Sequence, residues 1–187
     1  MSTTMIVLIV VIAIIVILGI YLIAARNKLV VLKNRVKDQW AQIDVQLKRR
    51  FDLIPNLVET VKGYAKHEKE TLEEVINARN EYLKAGNNKE AIKANDDLLQ
   101  GISKLFALAE SYPDLKANTN FVSMQQELQN TEDKIAAARQ FYNDVVLQYN
   151  NQIELFPSNI VASIFKFKTE SYFEASSQEK ENVTVKF

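Results

Sequence analysis

Cysteine is absent from this 187-residue sequence, and histidine occurs once, at His67. The absence of cysteine excludes a disulfide framework, a thiolate metal site, a cysteine nucleophile and a lipid attached to a lipoprotein cysteine. A single histidine excludes a metal centre built from several imidazoles. No glycine-rich phosphate loop, nucleophile elbow or triad spacing occurs either. We therefore expect no cofactor and no catalytic residue, and predict a protein that is not an enzyme.

Glycine and proline are scarce, at four and three residues. Both residue types interrupt helices, so their scarcity favours long helices over many short strands. The net charge is zero but unevenly spread, since residues 26–50 hold eight Lys or Arg against two Asp, a balance of +6. Beside an apolar run, such a basic stretch favours contact with anionic lipid over binding of nucleic acid.

Residues 5–25 contain no charged side chain. As a helix this run spans roughly 30 Å, which matches the hydrocarbon thickness of a bilayer. A cleaved signal peptide requires a basic segment first, then a shorter apolar run and a cleavage site. The preceding residues 1–4 hold no Lys or Arg. The run is therefore predicted to be an uncleaved transmembrane helix and the single span of the chain.

Orientation is predicted from the cations that flank this run. Five Lys or Arg lie between Arg26 and Lys37, and none precedes the run. The positive-inside rule then places residues 1–4 outside and the following domain in the cytoplasm. We expect a single-pass protein of the cytoplasmic membrane, and the absence of cysteine agrees with a reducing compartment.

Apolar residues after the run recur at steps of three and four and mark one helical face: Leu29, Leu32, Val36, Trp40, Ile43 and Leu47. No glycine or proline separates this face from residues 5–25. Asp52 is a good N-cap and Pro55 is tolerated in a first helical turn. We predict a break near Asp52 and a second helix to about residue 85. The alternative is one kinked helix through Pro55.

The remaining pattern predicts two more long helices. Gly86-Asn87-Asn88 predicts a turn, residues 89–111 a third helix, and Pro113 its end. A fourth helix is predicted at 120–156, with a coiled-coil-like seam of Phe121, Met124, Leu128, Thr131, Ile135, Ala138, Tyr142, Val145 and Tyr149. Buried tyrosines usually find a hydroxyl partner. Pro157 stops this helix, and a short amphipathic piece follows at 160–167.

These elements predict an all-α protein: one N-terminal transmembrane helix followed by an elongated antiparallel four-helix bundle over residues 26–167. Residues 168–187 form a C-terminal tail. Its segment 174–182 is polar and charged, and we expect it to be mobile.

One cluster has the residue types of a metal site. On a helix, His67, Glu70 and Glu74 share a face. Carboxylate-bridged dimetal sites in helical bundles use paired Glu-x-x-His elements. Residue 64 is tyrosine, and no second histidine exists. We interpret the cluster as a solvated acidic face and assign no metal ligand.

Three cations, Lys48, Arg49 and Arg50, stand just before Asp52. Cations near a helix C-terminus complement its dipole, which accounts for one or two of them. The other interpretation is a docking surface for a partner or an anionic head group, and both stay open. The late aromatics, among them Phe165 and Phe167, have three open placements: the end of the bundle, a neighbouring subunit or a membrane.

Three sequence blocks resemble the LemA family of bacterial membrane proteins. They are QIDVQLKRRFDLIPNLVETVKGYAKH at 42–67, ARQFYNDVVLQYN at 138–150 and FPSNIVASIFKF at 156–167. The resemblance implies a four-helix bundle behind one N-terminal span, with no established enzymatic activity. It also implies a similarity to a magnetosome-membrane protein. Genes of the family often lie near those of a membrane zinc metalloprotease or of small repeat-bearing membrane proteins.

The resemblance transfers no catalytic residue. It places the following residues in the family's signature blocks: Arg49, Arg50, Asp52, Pro55, Asn56, Phe156, Pro157 and Asn159. Together with the aromatics, the candidate interaction surface is Arg49, Arg50, Asp52, Asn56, Phe165 and Phe167.

Our leading functional hypothesis is a non-enzymatic scaffold or adaptor of the membrane that acts through helix-mediated contacts. Its expected partners are the lipid bilayer, copies of itself and another membrane protein such as a membrane metalloprotease. The alternative is an oligomer that organises or shapes a patch of membrane, which the fourth-helix seam and the aromatic tail favour. A metal-dependent enzyme or sensor ranks third.

Overall fold

The structure is a computed structural model that describes residues 2–173. Six helices follow one another along the chain: α1 Thr3–Tyr64, α2 Lys69–Lys84, α3 Asn88–Ala109, α4 Pro113–Lys116, α5 Thr119–Glu154 and α6 Ser158–Ile164. No strand occurs between residues 2 and 173, and the all-α prediction is confirmed. The tail predicted to be mobile, 174–182, lies outside the described residues.

Helix α1 is the main difference from the sequence prediction. It runs without interruption through Pro55 to Tyr64, and a turn at 65–68 separates it from α2. The predicted break near Asp52 is therefore wrong. The alternative prediction, one helix that continues through Pro55, is confirmed as far as its continuity is concerned.

A side chain from α2 explains why the helix continues. Proline has no N–H, so Pro55 leaves the carbonyl of Phe51, four residues earlier, without its usual helical donor. Phe51 is buried, where a carbonyl without a donor costs free energy. The Nε–H of Arg79 donates to this carbonyl at 3.2 Å. The hydrogen bond lost at the proline is thus replaced from a neighbouring helix.

The predicted turns are confirmed at both ends of α3. At Gly86-Asn87-Asn88, the Asn87 side chain accepts from the Glu90 N–H at 3.0 Å, and Glu90 accepts from the Gly86 N–H at 2.7 Å. These reciprocal bonds satisfy free donors at the helix N-terminus. Pro113 ends the α3 region and starts the single turn of α4. The Asn118 side chain then accepts from the Phe121 N–H and caps α5.

The chain forms two compact units, and α1 and α5 contribute to both. The distal unit contains residues 42–139 and Phe173. Tyr64 meets Asn118 and Arg50 meets Glu132, so α1 and α5 run in opposite directions here. Its core consists of Ile43, Leu47, Phe51, Ile54, Leu57, Val61, Leu72, Val75, Leu98, Ile102, Leu105, Leu115, Phe121, Leu128 and Ile135.

Gly101 allows close packing of α2 and α3 in this unit. A Cβ at that position would lie 2.8 Å from Cγ2 of Val75 and 3.5 Å from its Cα, so a side chain would force the helices apart.

The anchor-side unit contains residues 1–41 and 140–172. Its buried apolar residues are Ala25, Leu29, Leu32, Val36, Tyr142, Val146, Tyr149, Val161 and Ala162. Of the predicted α5 seam, six residues are buried, Met124 and Ala138 are half-buried, and near its end Val146 is buried in place of the half-buried Val145. A strict 3.5-residue repeat drifts by about 20° per heptad against a 3.6-residue helix, which explains the slip. One elongated antiparallel four-helix bundle stays a prediction.

Helix α1 is the one described helix that is long and apolar enough to cross a membrane. Its most apolar 18-residue window has a mean hydropathy of 3.6, and none of that window is buried in the protein. Such a run is matched to hydrocarbon rather than to water, in agreement with the predicted span at 5–25.

We expect Arg79→Met to lower the free energy of unfolding by about 1–3 kcal/mol, because it removes the donor to a buried carbonyl. In a Pro55→Ala background the alanine supplies the missing N–H, so the same change should cost about 1 kcal/mol less. Guanidinium unfolding of the full chain in mild detergent measures the free energies of this double-mutant cycle of Arg79 and Pro55. Lys84→Met, an exposed cation on the same helix, is the control. Equal costs in both backgrounds would contradict this account of the continuous helix.

Candidate functional site

The distal unit holds a buried polar cluster centred on Arg50. The Arg50 side chain is 1% exposed. Its Nη1 donates to Oδ1 of the buried Asn95 at 2.6 Å, and its Nη2 donates to Glu132. One guanidinium therefore joins α1 to α3 and α5.

The charge of this cluster is permanent. Burial lowers the pKa of Arg50, and the carboxylates of Glu132 and Asp96 oppose that shift. A guanidinium nevertheless stays protonated in proteins. Glu132 is 31% exposed, so one side of the pair reaches solvent. Beside it, α3 and α5 enclose a groove of about 220 Å³ lined by Arg50, Leu99, Ile102, Ser103, Phe106, Leu128, Gln129 and Glu132.

A second set of contacts joins α1 to α2. The ring of Phe51 stacks on Tyr82, with centroids 3.7 Å apart. The Tyr82 hydroxyl donates to Oδ1 of Asp44 at 2.8 Å. Burial raises the pKa of Tyr82, and the hydrogen bond and charge of Asp44 raise it further. The hydroxyl therefore stays protonated and serves as a donor.

Arg49 differs from its neighbour Arg50. It is half-exposed and pairs with Glu127 on α5. The two residues line an open polar groove of about 460 Å³ together with Asn130, Asp133, Lys134 and Ala137. Its partner is also partly exposed, so this ion pair adds little to stability.

The predicted interaction surface is divided by the structure. Arg49, Asp52 and Asn56 are exposed and, at spacings of three and four, lie on one face of α1. Arg50 lies in the interior and not on that face. The three exposed residues stay a candidate docking surface, and Arg50 has a packing role.

The aromatic members of the prediction lie in the anchor-side unit. Arg26 stands over the ring of Phe165 at 5.3 Å, and Lys33 stands over Phe167 at 5.9 Å. Cations at these distances are attracted by the ring face. Phe165 is 46% exposed and Phe167 is half-buried. The segment after α6 thus lies along α1, next to the end of its apolar run.

The backbone of the chain after α6 is held to α5 by hydrogen bonds to side chains of α5. The Asn150 amide donates to the Glu170 carbonyl and accepts from its N–H, each at 2.9 Å. The Tyr142 hydroxyl donates to the Ser171 carbonyl at 3.0 Å, as expected. The Tyr149 hydroxyl is buried without a protein partner among residues 2–173, so that expectation is wrong there.

The acidic cluster at His67 does not form as one helical face. His67 lies in the turn before α2, whereas Glu70 and Glu74 lie on the helix. The prediction of a shared face is wrong because α1 ends at Tyr64. Glu74 accepts from Lys104 Nζ at 2.6 Å. Within residues 2–173, no three His, Asp or Glu side chains converge in a way that would hold a metal ion.

Sequence reasoning missed Asn95, Glu132 and Arg79. Asn95 stands between Ala94 and Asp96 in the sequence, and only its alignment with the buried face of α3 distinguishes it. Glu132 follows the seam residue Thr131 and resembles an ordinary surface carboxylate. The one available signal was Pro55, since a mid-helix proline requires another donor for the freed carbonyl.

Across residues 2–173 the fold and these contacts define a class: a helical protein whose first helix carries a membrane-length apolar run and is joined further along to α3 and α5 by a polar cluster. A sequence model of the LemA family matches residues 39–187, well over half of the chain. The chain belongs to the LemA family. The match begins after the apolar run, at Gln39.

Individual relatives agree with this assignment. Protein LemA of Metamycoplasma hominis is 27% identical over 161 aligned residues, which cover 84% of this chain and 73% of that protein. Magnetosome protein MamQ 2 of Paramagnetospirillum magneticum is 26% identical over 174, covering 79% and 64%. MamQ of Magnetospirillum gryphiswaldense is 25% identical over 173, again covering 79% and 64%. The alignment thus spans less than two thirds of each MamQ protein.

We expect neighbouring arginines to differ in their effect on stability. Arg50→Met should lower the free energy of unfolding by about 2–4 kcal/mol, because Glu132 and Asn95 lose their buried partner. Arg49→Met should cost at most about 1 kcal/mol, because that pair is exposed to solvent. Unfolding of the full chain in mild detergent, followed by circular dichroism, measures both.

A double variant, Arg50→Met with Glu132→Leu, separates charge from packing. It should recover part of the loss, since no unpaired carboxylate remains. Equal costs for the two arginines would show that the cluster of Arg50 does not hold the helices together.

Proposed function

We propose that this LemA-family protein is a membrane-anchored, non-enzymatic scaffold or adaptor whose distal unit binds other proteins. The observation that carries the proposal is that several polar side chains of the distal unit bind other helices of the same chain. Arg50 joins three helices, and Asp44 and Arg79 join α1 to α2. Side chains committed to these contacts stabilise a rigid helical surface, which is what an adaptor presents to a partner.

The face of Arg49, Asp52 and Asn56 is the docking surface of this proposal. All three are exposed on α1. Because α1 is continuous through Pro55, these side chains stand on a helix that α2 and α5 hold in place. Binding surfaces on rigid elements lose little conformational entropy when a partner docks.

The proposed topology follows from the anchor. Residues 5–25 cross the cytoplasmic membrane, residues 1–4 lie outside, and the distal unit lies in the cytoplasm. The five cations from Arg26 to Lys37 support this orientation through the positive-inside rule.

A membrane-organising oligomer is the second candidate. The relatives named magnetosome proteins in two organisms favour it. In that case many copies of the chain assemble at the bilayer, and self-association replaces recruitment of another protein.

Charge substitutions on the docking face test the scaffold. Asp52→Arg combined with Asn56→Arg should lower the yield of crosslinked partner from native membranes by roughly tenfold. The added positive charge would destroy the charge complementarity between this face and its partner. Asn77→Arg combined with Asp97→Arg is the matched control, since it makes the same change on exposed positions of α2 and α3.

The measured quantity is the mass and protein content of the particle extracted in mild detergent. A stoichiometric second protein supports the adaptor, and a large assembly of this chain alone supports the second candidate. A strict monomer with no crosslinked protein would contradict both.

Topology is measured with single cysteines, which the chain lacks naturally. Ser2→Cys should react with a membrane-impermeant maleimide on intact cells. Ser111→Cys, on an exposed turn of the distal unit, should react only after the membrane is permeabilised. Reaction of Ser111→Cys on intact cells would reverse the proposed orientation.

A further inference from the structure

Helix α6 carries large apolar residues on its exposed side as well as on its buried side. One side is buried through Val161 and Ala162. The opposite side carries Ile160 and Ile164, which are 50% and 60% exposed, beside the exposed Asn159 and Ser163. A surface helix ordinarily presents polar residues to water on its open side. Two of the four exposed residues of α6 are therefore large and apolar, and no residue within 2–173 covers them.

The residues that flank α6 enlarge the apolar surface. Phe156 is 80% exposed, and Leu155 and Phe165 are also exposed. Contiguous exposed apolar side chains of this kind mark an interaction site rather than an ordinary surface.

The location of this surface identifies its occupant. Phe165 lies beneath the guanidinium of Arg26, the first charged residue after the apolar run of α1. Phe167 lies beneath Lys33, two helical turns further on. Ala25, the last residue of the run, is buried by protein. The end of α6 is therefore at the level where the predicted transmembrane segment leaves the hydrocarbon.

The backbone at the end of α6 gives a second, independent observation. The Lys166 N–H donates to the Ser163 carbonyl at 3.1 Å, and the Phe167 N–H donates to the Ala162 carbonyl at 2.9 Å. This helix stop requires a left-handed residue, for which glycine is preferred. Lys166 occupies the position with φ of 56°. The end of α6 thus carries a cation at a backbone position where glycine would be less strained.

We propose that α6 and its flanking residues are a second membrane contact, which docks on the anionic lipid surface beside the transmembrane helix. The apolar side of α6 enters the boundary between head groups and acyl chains, as amphipathic interfacial helices do. Arg26, Lys166 and Lys168 are exposed and face lipid phosphates. The inference rests on the proposed membrane anchorage of α1.

A lipid surface fits better than a second copy of the chain for two reasons. The apolar surface is continuous with a segment that already requires hydrocarbon, so no further partner must be ordered. The cations around it match the charge of an anionic leaflet, whereas a second copy would bring the same cations and repel.

Tryptophan fluorescence of the full chain in phosphatidylglycerol-containing vesicles tests this. Trp40→Phe removes the one native tryptophan. New tryptophans are then placed singly by Phe165→Trp on the proposed contact, Phe141→Trp on an exposed part of α5 in the same unit, and Ile15→Trp within the span. Ile164→Trp serves as a second reporter if Phe165→Trp fails to fold.

We expect brominated lipid to quench the reporter at 165 or 164 and the reporter at 15, and to leave the reporter at 141 unchanged. Quenching at 15 without quenching at 165 and 164 would overturn the second contact and leave the anchor intact. No quenching at 15 would refute the anchorage itself. Protection at 165 from an aqueous quencher without quenching by lipid would show a protein partner and also overturn the proposal.

Lys166→Gly separates lipid binding from folding. Glycine relieves the left-handed backbone, so thermal stability should not fall. On anionic vesicles the ratio of docked to undocked α6 should fall by about fivefold, which is the effect of removing the attraction of one lysine to an anionic lipid surface. On neutral vesicles the ratio should not change. An unchanged ratio on anionic vesicles would exclude a lipid role for this charge.

Discussion

The buried charge of Arg50 is the constraint on which the distal unit depends. An unpaired charge in an apolar interior costs several kcal/mol, so the helices around Arg50 must bring it partners. Asn95 and Glu132 do so from two different helices. Apolar packing tolerates small rotations of the helices, whereas the N–H donors of the Arg50 guanidinium group have fixed directions and do not. The cluster therefore selects one arrangement of α1, α3 and α5 from the several that would bury the same apolar faces.

The second constraint is the carbonyl freed by Pro55. Its donor, Arg79, belongs to α2, so the continuity of α1 depends on a residue 28 positions away from the acceptor. The stacked Tyr82, bonded to Asp44, lies one turn from Arg79 and holds the same pair of helices. Local disruption in one helix is thus compensated by tertiary contacts, and the exposed face of Arg49, Asp52 and Asn56 lies on a continuous helix.

Sequence patterns predicted the helical class, the apolar run, the turn at Gly86-Asn87-Asn88 and most of the α5 seam. These features are local, because helix periodicity and turn chemistry act over a few residues. The break at Asp52 was predicted wrongly by the same local rules, which assign proline to a helix start. The burial of Arg50 was missed although it lies three residues after Leu47 and four before Ile54, on the apolar face of α1. Its partners Asn95 and Glu132 were out of reach, because they lie 45 and 82 residues away.

Local sequence was sufficient to place most helices and to show that residues 5–25 suit hydrocarbon, because hydropathy and periodicity do not depend on tertiary contacts. Three sequence blocks were sufficient for the family resemblance. The pairing of Arg50 with Glu132 and Asn95, and the passage of α1 through Pro55, depend on tertiary contacts. The tertiary structure also decided that α6 leaves an apolar side open beside the first cation after the span. Each of these depends on contacts between residues far apart in sequence, and burial is a property of those contacts and not of any single residue.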